Sequence, residues 1–228
     1  MIYITGDLHG DINRFSDDFL PNQSEWTEKD YLIVCGDFGF IFFDDEREKE
    51  RLDLLEQKPY TILWVDGNHE NFNAIFRYPV EIWHGGKVRR IRRNIIHLMR
   101  GQCFDIEGKK FFTMGGAYSV DRYRRIKDIS YWDAEIPNSE EYSEASETIL
   151  KNGKKFDYII THTAPKEIII RLGYYPDFHD MELTGFLEWI MYTCDFRSWF
   201  FGHFHEDETL TEPYEKFRAM YYDVERIE

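Results

Sequence analysis

Residues 62–70, Ile-Leu-Trp-Val-Asp-Gly-Asn-His-Glu, join an apolar run to a glycine that is followed by three polar side chains. A strand whose two faces are both covered has such a continuous apolar run instead of an alternating one. In α/β sheets, ligands bind in the loops beyond the carboxyl ends of the strands. We therefore predict a buried strand that ends before Gly67 and places Asn68 and His69 at the rim of a crevice.

The segments before this strand alternate between apolar runs and helical periodicity. A helix that begins after Asp11 has its apolar residues Ile12, Phe15 and Phe19 at helical spacing. Three strands and two helices are predicted in this part of the chain: strands 1–5, 31–35 and 62–65, and helices 12–20 and 44–58. This β-α-β-α-β order predicts parallel strands joined by right-handed crossovers.

The chain after residue 70 has a different pattern. Segments 94–99 and 103–113, the second with a turn at 107–108, are predicted antiparallel strands. Residues 117–137 form a long aromatic and basic connection, which is typical of lids and binding loops. The remaining predicted elements are the helices 138–152 and 180–194, the latter capped by Asp180, and the strands 156–160, 198–201 and 217–224.

The composition indicates a globular protein that does not span a membrane. The 228 residues are 43% hydrophobic and 18% aromatic, and no apolar run approaches the ~20 residues of a membrane helix. The chain starts with a strand-like run and has no visible secretory signal. Its three cysteines are widely spaced and form no CxxC pair, which indicates reduced thiols. We expect a single cytoplasmic domain, 1–228.

The charge distribution is uneven. A net charge of −15 disfavours general binding to nucleic-acid backbones. Residues 87–127, however, contain 12 Lys and Arg against 3 Asp and Glu, a local balance of +9. This basic segment either receives an anionic substrate or is a solvated face that offsets neighbouring acids.

Side chains that can bind metal follow five of the predicted strands. They are Asp7 and His9, Asp37, Asn68 and His69, His162, and His203 with His205. Carboxylate, amide and imidazole groups without a thiolate suit Mn, Fe, Zn or Co better than Ca or a Cys-bound zinc. Each motif alone is more often structural, but five at successive strand ends favour a metal site. Seven of these eight side chains are enough for two ions about 3.5–4 Å apart that share a carboxylate.

These blocks, in this order, resemble the signature of the calcineurin-like metallophosphoesterase superfamily: Asp-x-His, Gly-Asp, Gly-Asn-His-Glu, His and Gly-His-x-His. The resemblance covers residues 5–205. It implies an α/β (mixed α+β) fold, a four-layer αββα sandwich of two mixed β-sheets flanked by helices. It also implies that Asp7, His9 and His205 bind one metal, that Asn68, His162 and His203 bind the other, and that Asp37 bridges them.

The predicted function is dinuclear metal-dependent hydrolysis of a phosphomonoester or phosphodiester of a small molecule. The two cofactors are divalent or trivalent transition-metal ions (Mn, Fe, Zn or Co), with Mn preferred. A hydroxide between two cations is a strong nucleophile at neutral pH, and protonated His69 would assist the leaving oxygen. The alternatives are a non-catalytic interaction module on the same fold, a nuclease or a protein phosphatase.

One block differs from the protein Ser/Thr phosphatase branch, which reads Gly-Asp-x-Val-Asp-Arg-Gly at the second position. Here residues 36–41 read Gly-Asp-Phe-Gly-Phe-Ile, so the Asp that orients the general-acid His and the Arg that holds phosphate are both missing there. Arg122, Arg124 and Arg125 are candidate substitutes, because an Arg fork matches phosphate geometry. The alternative is a surface loop paired with the acids of residues 140–147.

Overall fold

The computed structural model of the protein describes residues 1–227, within which 13 strands form two mixed β-sheets. The strands are β1 Ile2–Thr5, β2 Tyr31–Val34, β3 Thr61–Trp64, β4 Val80–Trp83, β5 Gly86–Arg92, β6 Ile95–Leu98, β7 Gln102–Ile106, β8 Lys109–Met114, β9 Tyr158–Thr161, β10 Ser198–Phe201, β11 Glu208–Thr209, β12 Phe217–Ala219 and β13 Glu225–Ile227. Within the described residues sheet 1 has seven of them and sheet 2 has six.

The strand order brings the predicted loops together. Sheet 1 has the order β13-β1-β2-β3-β6-β5-β4, with β1, β2, β3 and β6 parallel. Sheet 2 has the order β11-β12-β10-β9-β8-β7, with β12, β10, β9 and β8 parallel. Parallel neighbours end at the same edge of a sheet. The loops after β1, β2 and β3 are therefore neighbours in one sheet, as are those after β9 and β10 in the other.

The helices of residues 1–227 are α1 Glu46–Glu56, α2 Phe72–Ile75, α3 Ser139–Lys151, α4 Lys166–Arg171 and α5 Met181–Thr193. The N-terminus of α1 is capped by Asp45, whose side chain accepts a hydrogen bond from the Glu48 amide. At α3, Asn138 and Glu141 form a reciprocal capping box. No helix in residues 1–227 is both long and apolar enough to cross a bilayer.

The buried side chains form three layers of core between four layers of backbone. On β2, Ile33 points into the core between the sheets, and Leu32 lies in the core on the other face together with Leu55 of α1. On β9, Ile160 points between the sheets and Ile159 packs outward in the cluster that contains helix residues of α3, α4 and α5. Period-two alternation thus covers both faces of each sheet. The predicted αββα sandwich of mixed sheets is confirmed.

The predicted helix 12–20 is wrong. Asp11 caps as predicted, accepting from the Asn13 amide, but only a 3-10 turn, Ile12–Phe15, follows. The Phe15 carbonyl, which an α-helix would bond to the amide of residue 19, instead accepts from the side chains of Gln23 and Lys58. Tertiary hydrogen bonds therefore end the helix after one turn.

The predicted antiparallel setting of residues 94–99 is confirmed on one side only, because β6 pairs antiparallel to β5 and parallel to β3. The unpredicted hairpin of β4 and β5 reverses the chain before β6. Its two-residue turn, His84-Gly85, has φ of 47° and 92°, the positive values that a hairpin turn of this type requires. Val80 and Ile82 of β4 are exposed. The strand therefore lacks the buried apolar face whose sequence pattern would predict it.

Strand β5 carries the first part of the basic segment, and three of its four basic residues are paired with acids. Lys87 lies 2.6 Å from Glu144, Arg90 3.0 Å from Glu81, and Arg92 2.9 Å from Asp53 (N to O distances). These basic residues of β5 therefore neutralise the charge of acidic residues on neighbouring elements.

The predicted cap of the 180–194 helix is wrong in one respect. Helix α5 begins at Met181, but the Asp180 side chain makes no capping hydrogen bond. A 3-10 turn, Phe178–Asp180, runs directly into α5, and the side chain of Asp177 caps that turn. The Asp180 side chain therefore does not have the capping role predicted from the sequence.

Candidate metal centre

The loops at the carboxyl ends of five strands meet at one edge of the sandwich, and the predicted ligands meet there. β1, β2 and β3 of sheet 1 supply four of them and β9 and β10 of sheet 2 supply three. They are Asp7, His9, Asp37 and Asn68 from sheet 1, and His162, His203 and His205 from sheet 2. The structure brings all of these residues together at the junction of the two sheets.

One group consists of Asp7, His9 and His205, whose ligand atoms all lie within 4.8 Å of one another. The two imidazole Nε2 atoms are 2.9 Å apart, and that of His205 is 3.6 Å from Asp7 Oδ2. Asp7 is buried, whereas His9 and His205 are exposed. This arrangement has one side closed by protein and one side open to solvent, as a catalytic metal site requires.

A second group lies deeper and shares Asp7 with the first. Asp7, Asp37 and His162 have ligand atoms within 4.8 Å of one another. His162 Nε2 is 3.4 Å from Asp37 Oδ1 and 3.0 Å from Asn68 Oδ1, and the His203 ring packs edge-on against His162 with centroids 5.0 Å apart. The other Asp37 oxygen, Oδ2, is 3.8 Å from His9 Nε2. Asp37 therefore faces both groups.

The hydrogen bonds of His162 test whether these residues fit a metal ion. Its Nδ1 lies 2.9 Å from the Cys35 carbonyl oxygen, which can only accept, so Nδ1 carries the proton. Nε2 then directs a lone pair toward two further acceptor oxygens, on Asn68 and Asp37. Three converging acceptors repel one another unless a cation, either a proton or a metal ion, lies between them. The donor set fits a transition metal.

Burial controls the protonation of the group. Desolvation by the surrounding loops lowers the pKa of His9 to about 4, although one edge of its ring is open to solvent, and full burial lowers that of His203 to about 3. Burial also raises the pKa of Asp7 to about 7, where the repulsion from Asp37 adds to it and the attraction to His162 opposes it. Burial acts in the same direction on Asp37, but the charges of His162, His69 and His9 outweigh it and lower the pKa of Asp37 to about 2. Neutral imidazoles are the form that binds metal.

A comparison with known proteins identifies the family. The family model of the calcineurin-like phosphoesterases matches residues 1–207. The chain belongs to the calcineurin-like phosphoesterase family. Metal-dependent phosphoester hydrolysis is the chemistry of this family, which typically binds a dinuclear transition-metal centre. No curated protein matches the chain. Among solved structures the chain is similar to a phosphopantetheinyl hydrolase from Mycobacterium tuberculosis, with 17% identity, a TM-score of 0.44, and coverage of 97% of this chain and 89% of that chain.

The backbone of this phosphoesterase is strained at several candidate ligands. His9, Asp37, His203 and His205 have φ of 47°, 45°, 70° and 53°, in the left-handed region that side chains other than glycine rarely adopt. The strain is held by the fold: the His9 amide, for example, donates to the Asp37 carbonyl at 2.8 Å. Such strain concentrates at functional sites, where the surrounding structure supports it.

The glycines of the motifs make room for ligands of the neighbouring loop. A Cβ on Gly67 would lie 2.0 Å from Asp37 Oδ1, and one on Gly202 would lie 2.3 Å from Asp7 Oδ1. Neither carboxylate could then keep its place. Gly67 is thus explained by the close approach of a ligand that follows the adjacent strand of sheet 1, and Gly202 by that of a ligand from the facing sheet.

Several supporting residues were not indicated by the sequence patterns. Asn68 Nδ2 donates to Ser119 Oγ at 3.0 Å, and Ser119 Oγ donates to Glu135 at 2.9 Å. This chain fixes the amide so that its oxygen faces His162. Glu70, buried in the last position of the motif, accepts from the Phe38 amide at 2.8 Å and so holds the loop that carries the bridging candidate. Only Glu70 lay in a recognisable motif.

His69 occupies the solvent side of the centre next to His9, with ring centroids 5.2 Å apart. Its backbone amide donates to Asp37 Oδ1 at 2.8 Å. Within residues 1–227 no carboxylate hydrogen-bonds to its ring. The group that contacts the ring is Arg125, whose Nη2 lies 3.0 Å from His69 Nε2 and which is itself paired with Asp121 at 2.7 Å.

The three candidate arginines of the basic connection have different surroundings. Arg125 reaches the site through His69. Arg122 Nε donates to Glu135 at 2.8 Å, so it braces the chain that fixes Asn68. Arg124 is exposed, with its guanidinium over the ring of Tyr123.

Proposed function

We propose that the protein is a dinuclear metal-dependent hydrolase of a small phosphorylated molecule and that residues 1–228 form one catalytic domain. The observation that carries this proposal is the convergence of two buried carboxylates with imidazoles from both sheets, in two groups that share Asp7, with Asp37 of the second group also facing His9 of the first. A pair of metal ions would give each of these carboxylates and imidazoles a partner.

In this proposal each candidate ligand has a stated place. Asp7, His9 and His205 hold one ion, Asn68, His162 and His203 hold the other, and Asp37 lies between them. The ions, Mn in preference to Fe, Zn or Co, supply the positive charge that neutralises phosphoryl oxygens and activates water at neutral pH. The open side at His9 and His205 gives the phosphoester access to the centre.

His69 is the proposed acid that protonates the leaving oxygen. Burial lowers the pKa of His69, and the charge of Arg125 adds to this effect while Asp37 opposes it. A bound phosphoester adds negative charge next to the ring, which favours the protonated imidazole. The bond from the His69 amide to Asp37 keeps the side chain at a fixed position relative to the centre.

Arg125 is the proposed phosphate ligand among the three arginines. Its guanidinium contacts the His69 ring, and its pairing with Asp121 leaves both Nη atoms facing that ring. Replacement by Ala is expected to raise KM about 10-fold or more, since a charge-assisted contact is worth roughly 1.5–3 kcal/mol. Arg124→Ala is the matched control and is expected to leave KM unchanged. Unchanged kinetics in Arg125→Ala would exclude Arg125 as the phosphate ligand.

The deciding experiment is a hydrolysis assay on metal-reconstituted protein. The chain is stripped with a chelator, reloaded with Mn²⁺ and assayed on an aryl phosphate and a bis-aryl phosphate, with bound metal measured in parallel. Turnover of either ester that disappears in His69→Ala supports the proposal. A protein that holds two metals and hydrolyses neither ester favours the non-catalytic interaction module.

A further inference from the structure

A pocket of about 280 Å³ opens next to the candidate ligands His203 and His205. Its volume is at the lower end of the range for small-molecule sites. Its other walls come from the connection after β8, from the loop after β9 and from the segment before α5. They include Tyr118, Thr163, Tyr174 and Asp180. A phosphoester bound at the centre would therefore have its organic part next to this pocket.

Two buried polar atoms in this pocket have no hydrogen-bond partner among residues 1–227: Asp180 Oδ1 and Thr163 Oγ1. Asp180 is 5% exposed and Thr163 is 1% exposed. An unsatisfied buried polar atom is costly, and native proteins contain few of them. Asp180 does not cap α5 and belongs to neither metal-ligand group found in the described chain, and its interaction with the Tyr118 backbone N–H leaves Oδ1 without a partner.

The chemistry of the two atoms indicates what would satisfy them. A carboxylate oxygen accepts hydrogen bonds, and a threonine hydroxyl can accept as well as donate. Burial, with the repulsion from Asp177, raises the pKa of Asp180 to about 7, and no cation pairs with it in the part of the chain that the structure describes. An N–H donor on a ligand is the group that matches both acceptors.

The walls of the pocket are flat and aromatic. The Tyr118 ring stacks on His179 with centroids 4.4 Å apart and an interplanar angle of 10°, and the Tyr174 ring packs on Phe204 at 5.2 Å. Ile169 completes the apolar lining. Both faces of the Tyr118 ring are covered, by His179 and by the Arg122 guanidinium 4.5 Å from its centroid, so a planar ligand ring would meet Tyr118 at its edge.

We propose that this pocket binds the organic group of the substrate and is selective for a planar ring that bears an amino group, which donates to Asp180 Oδ1 and Thr163 Oγ1. The inference rests on the proposed function, because that function places the phosphoryl group beside His203 and His205. It adds a substrate class, the phosphoesters of amino-substituted aromatic rings.

The test compares two aryl esters that differ in one substituent. 3-Aminophenyl phosphate and 3-methylphenyl phosphate are similar in size, and both substituents are weakly electron-donating, so their intrinsic reactivities are close. The methyl diesters of the same two phenols serve if the enzyme prefers diesters. We expect kcat/KM on Mn²⁺-loaded protein to favour the amino ester about 10-fold or more, because a site built for a hydrogen bond rejects the analogue that lacks it.

Two substitutions remove the acceptors and keep the branched shape of each side chain. In Asp180→Leu and in Thr163→Val the preference for the amino ester is expected to fall toward 1, while turnover of the methyl ester is retained. The Tm of Asp180→Leu without substrate is measured as well, because this substitution removes both the unsatisfied Oδ1 and the acceptor of the Tyr118 backbone N–H. Asp53→Leu, an exposed residue of α1, is the matched control and keeps the preference.

The outcomes separate the two proposals. If metal-loaded protein hydrolyses neither ester, the proposed function fails and this inference fails with it. If both esters are hydrolysed with equal kcat/KM, the subsite alone is overturned. A lowered Tm of Asp180→Leu together with an unchanged preference in Thr163→Val would also overturn it, because Asp180 would then be a structural group.

Discussion

At the scale of single residues, His69 and Asp37 lie next to each other in the structure but have different proposed roles. His69→Ala is expected to lower kcat by about 10²–10⁴-fold and to keep both metals, because its ring is proposed to act on the leaving group. Asp37→Ala is expected to lose metal as well, because Asp37 faces both ligand groups. Metal content and kcat of the two variants check this. Empty metal sites in His69→Ala would contradict the division of roles.

Substitution of Ser119 is expected to change only the affinity for metal. It accepts from the Asn68 amide and donates to Glu135, so Ser119→Ala releases the amide from its orientation. Loss of such an outer partner typically costs 10–100-fold in metal affinity. Titration of stripped protein with Mn²⁺ measures the change. Ser146→Ala on α3 is the control, and equal affinities in the two variants would show that the orientation of Asn68 does not depend on Ser119.

At the scale of elements, the loops can bind metal because glycine lets neighbouring strands approach. Gly67→Ala is expected to displace the Asp37 carboxylate, since its Cβ would lie 2.0 Å from Oδ1, and to lower both metal content and Tm. Gly185→Ala is the matched control. Gly185 lies inside α5, and among the described residues no atom beyond its chain neighbours and the nearby backbone of its own helix lies within 4 Å of the Cβ that alanine would add. This substitution is therefore expected to stabilise the protein by about 0.5–1 kcal/mol. A metal-replete Gly67→Ala protein would contradict the prediction.

The elements that the sequence predicted correctly are those with a strong local signal. The buried strands β2 and β3 are continuous apolar runs, and α3 has both helical periodicity and a capping box. The predictions of a helix at 12–20 and of a cap at Asp180 are wrong. Hydrogen bonds from the distant side chains of Gln23 and Lys58 determine the first backbone, and a 3-10 turn before α5 determines the second, and neither has a local sequence signature.

In the candidate site, too, residues with a local sequence signal could be predicted and residues placed by tertiary contacts could not. The ligand candidates stand in short motifs at strand ends and could be named from the sequence. Their supports could not, because Ser119, Glu135 and Arg125 come from an irregular connection whose path is set by tertiary contacts. The placement of Arg125 against His69 therefore required the structure.

At the scale of the whole molecule, the candidate centre joins the two sheets. Asp7 and Asp37 extend from sheet 1, and His162 and His205 extend from sheet 2, so bound metal would connect the two halves of the sandwich. Any ligand that binds only the native state stabilises it by mass action. Metal binding is thus expected to contribute to the stability of the fold in addition to its chemical role.

Removal of metal is therefore expected to lower Tm. At a free metal concentration of 100 Kd, one bound ion adds about 2.7 kcal/mol to the free energy of unfolding, which corresponds to about 5–10 °C for a chain of this size. Thermal unfolding of stripped protein at increasing Mn²⁺ measures the shift. Asp37→Ala should show little dependence on Mn²⁺, because it lacks the carboxylate that faces both groups. If the Tm of the unmodified protein were independent of Mn²⁺, the two sheets would be held by the apolar core between them alone, and the ligand candidates would not form a metal site.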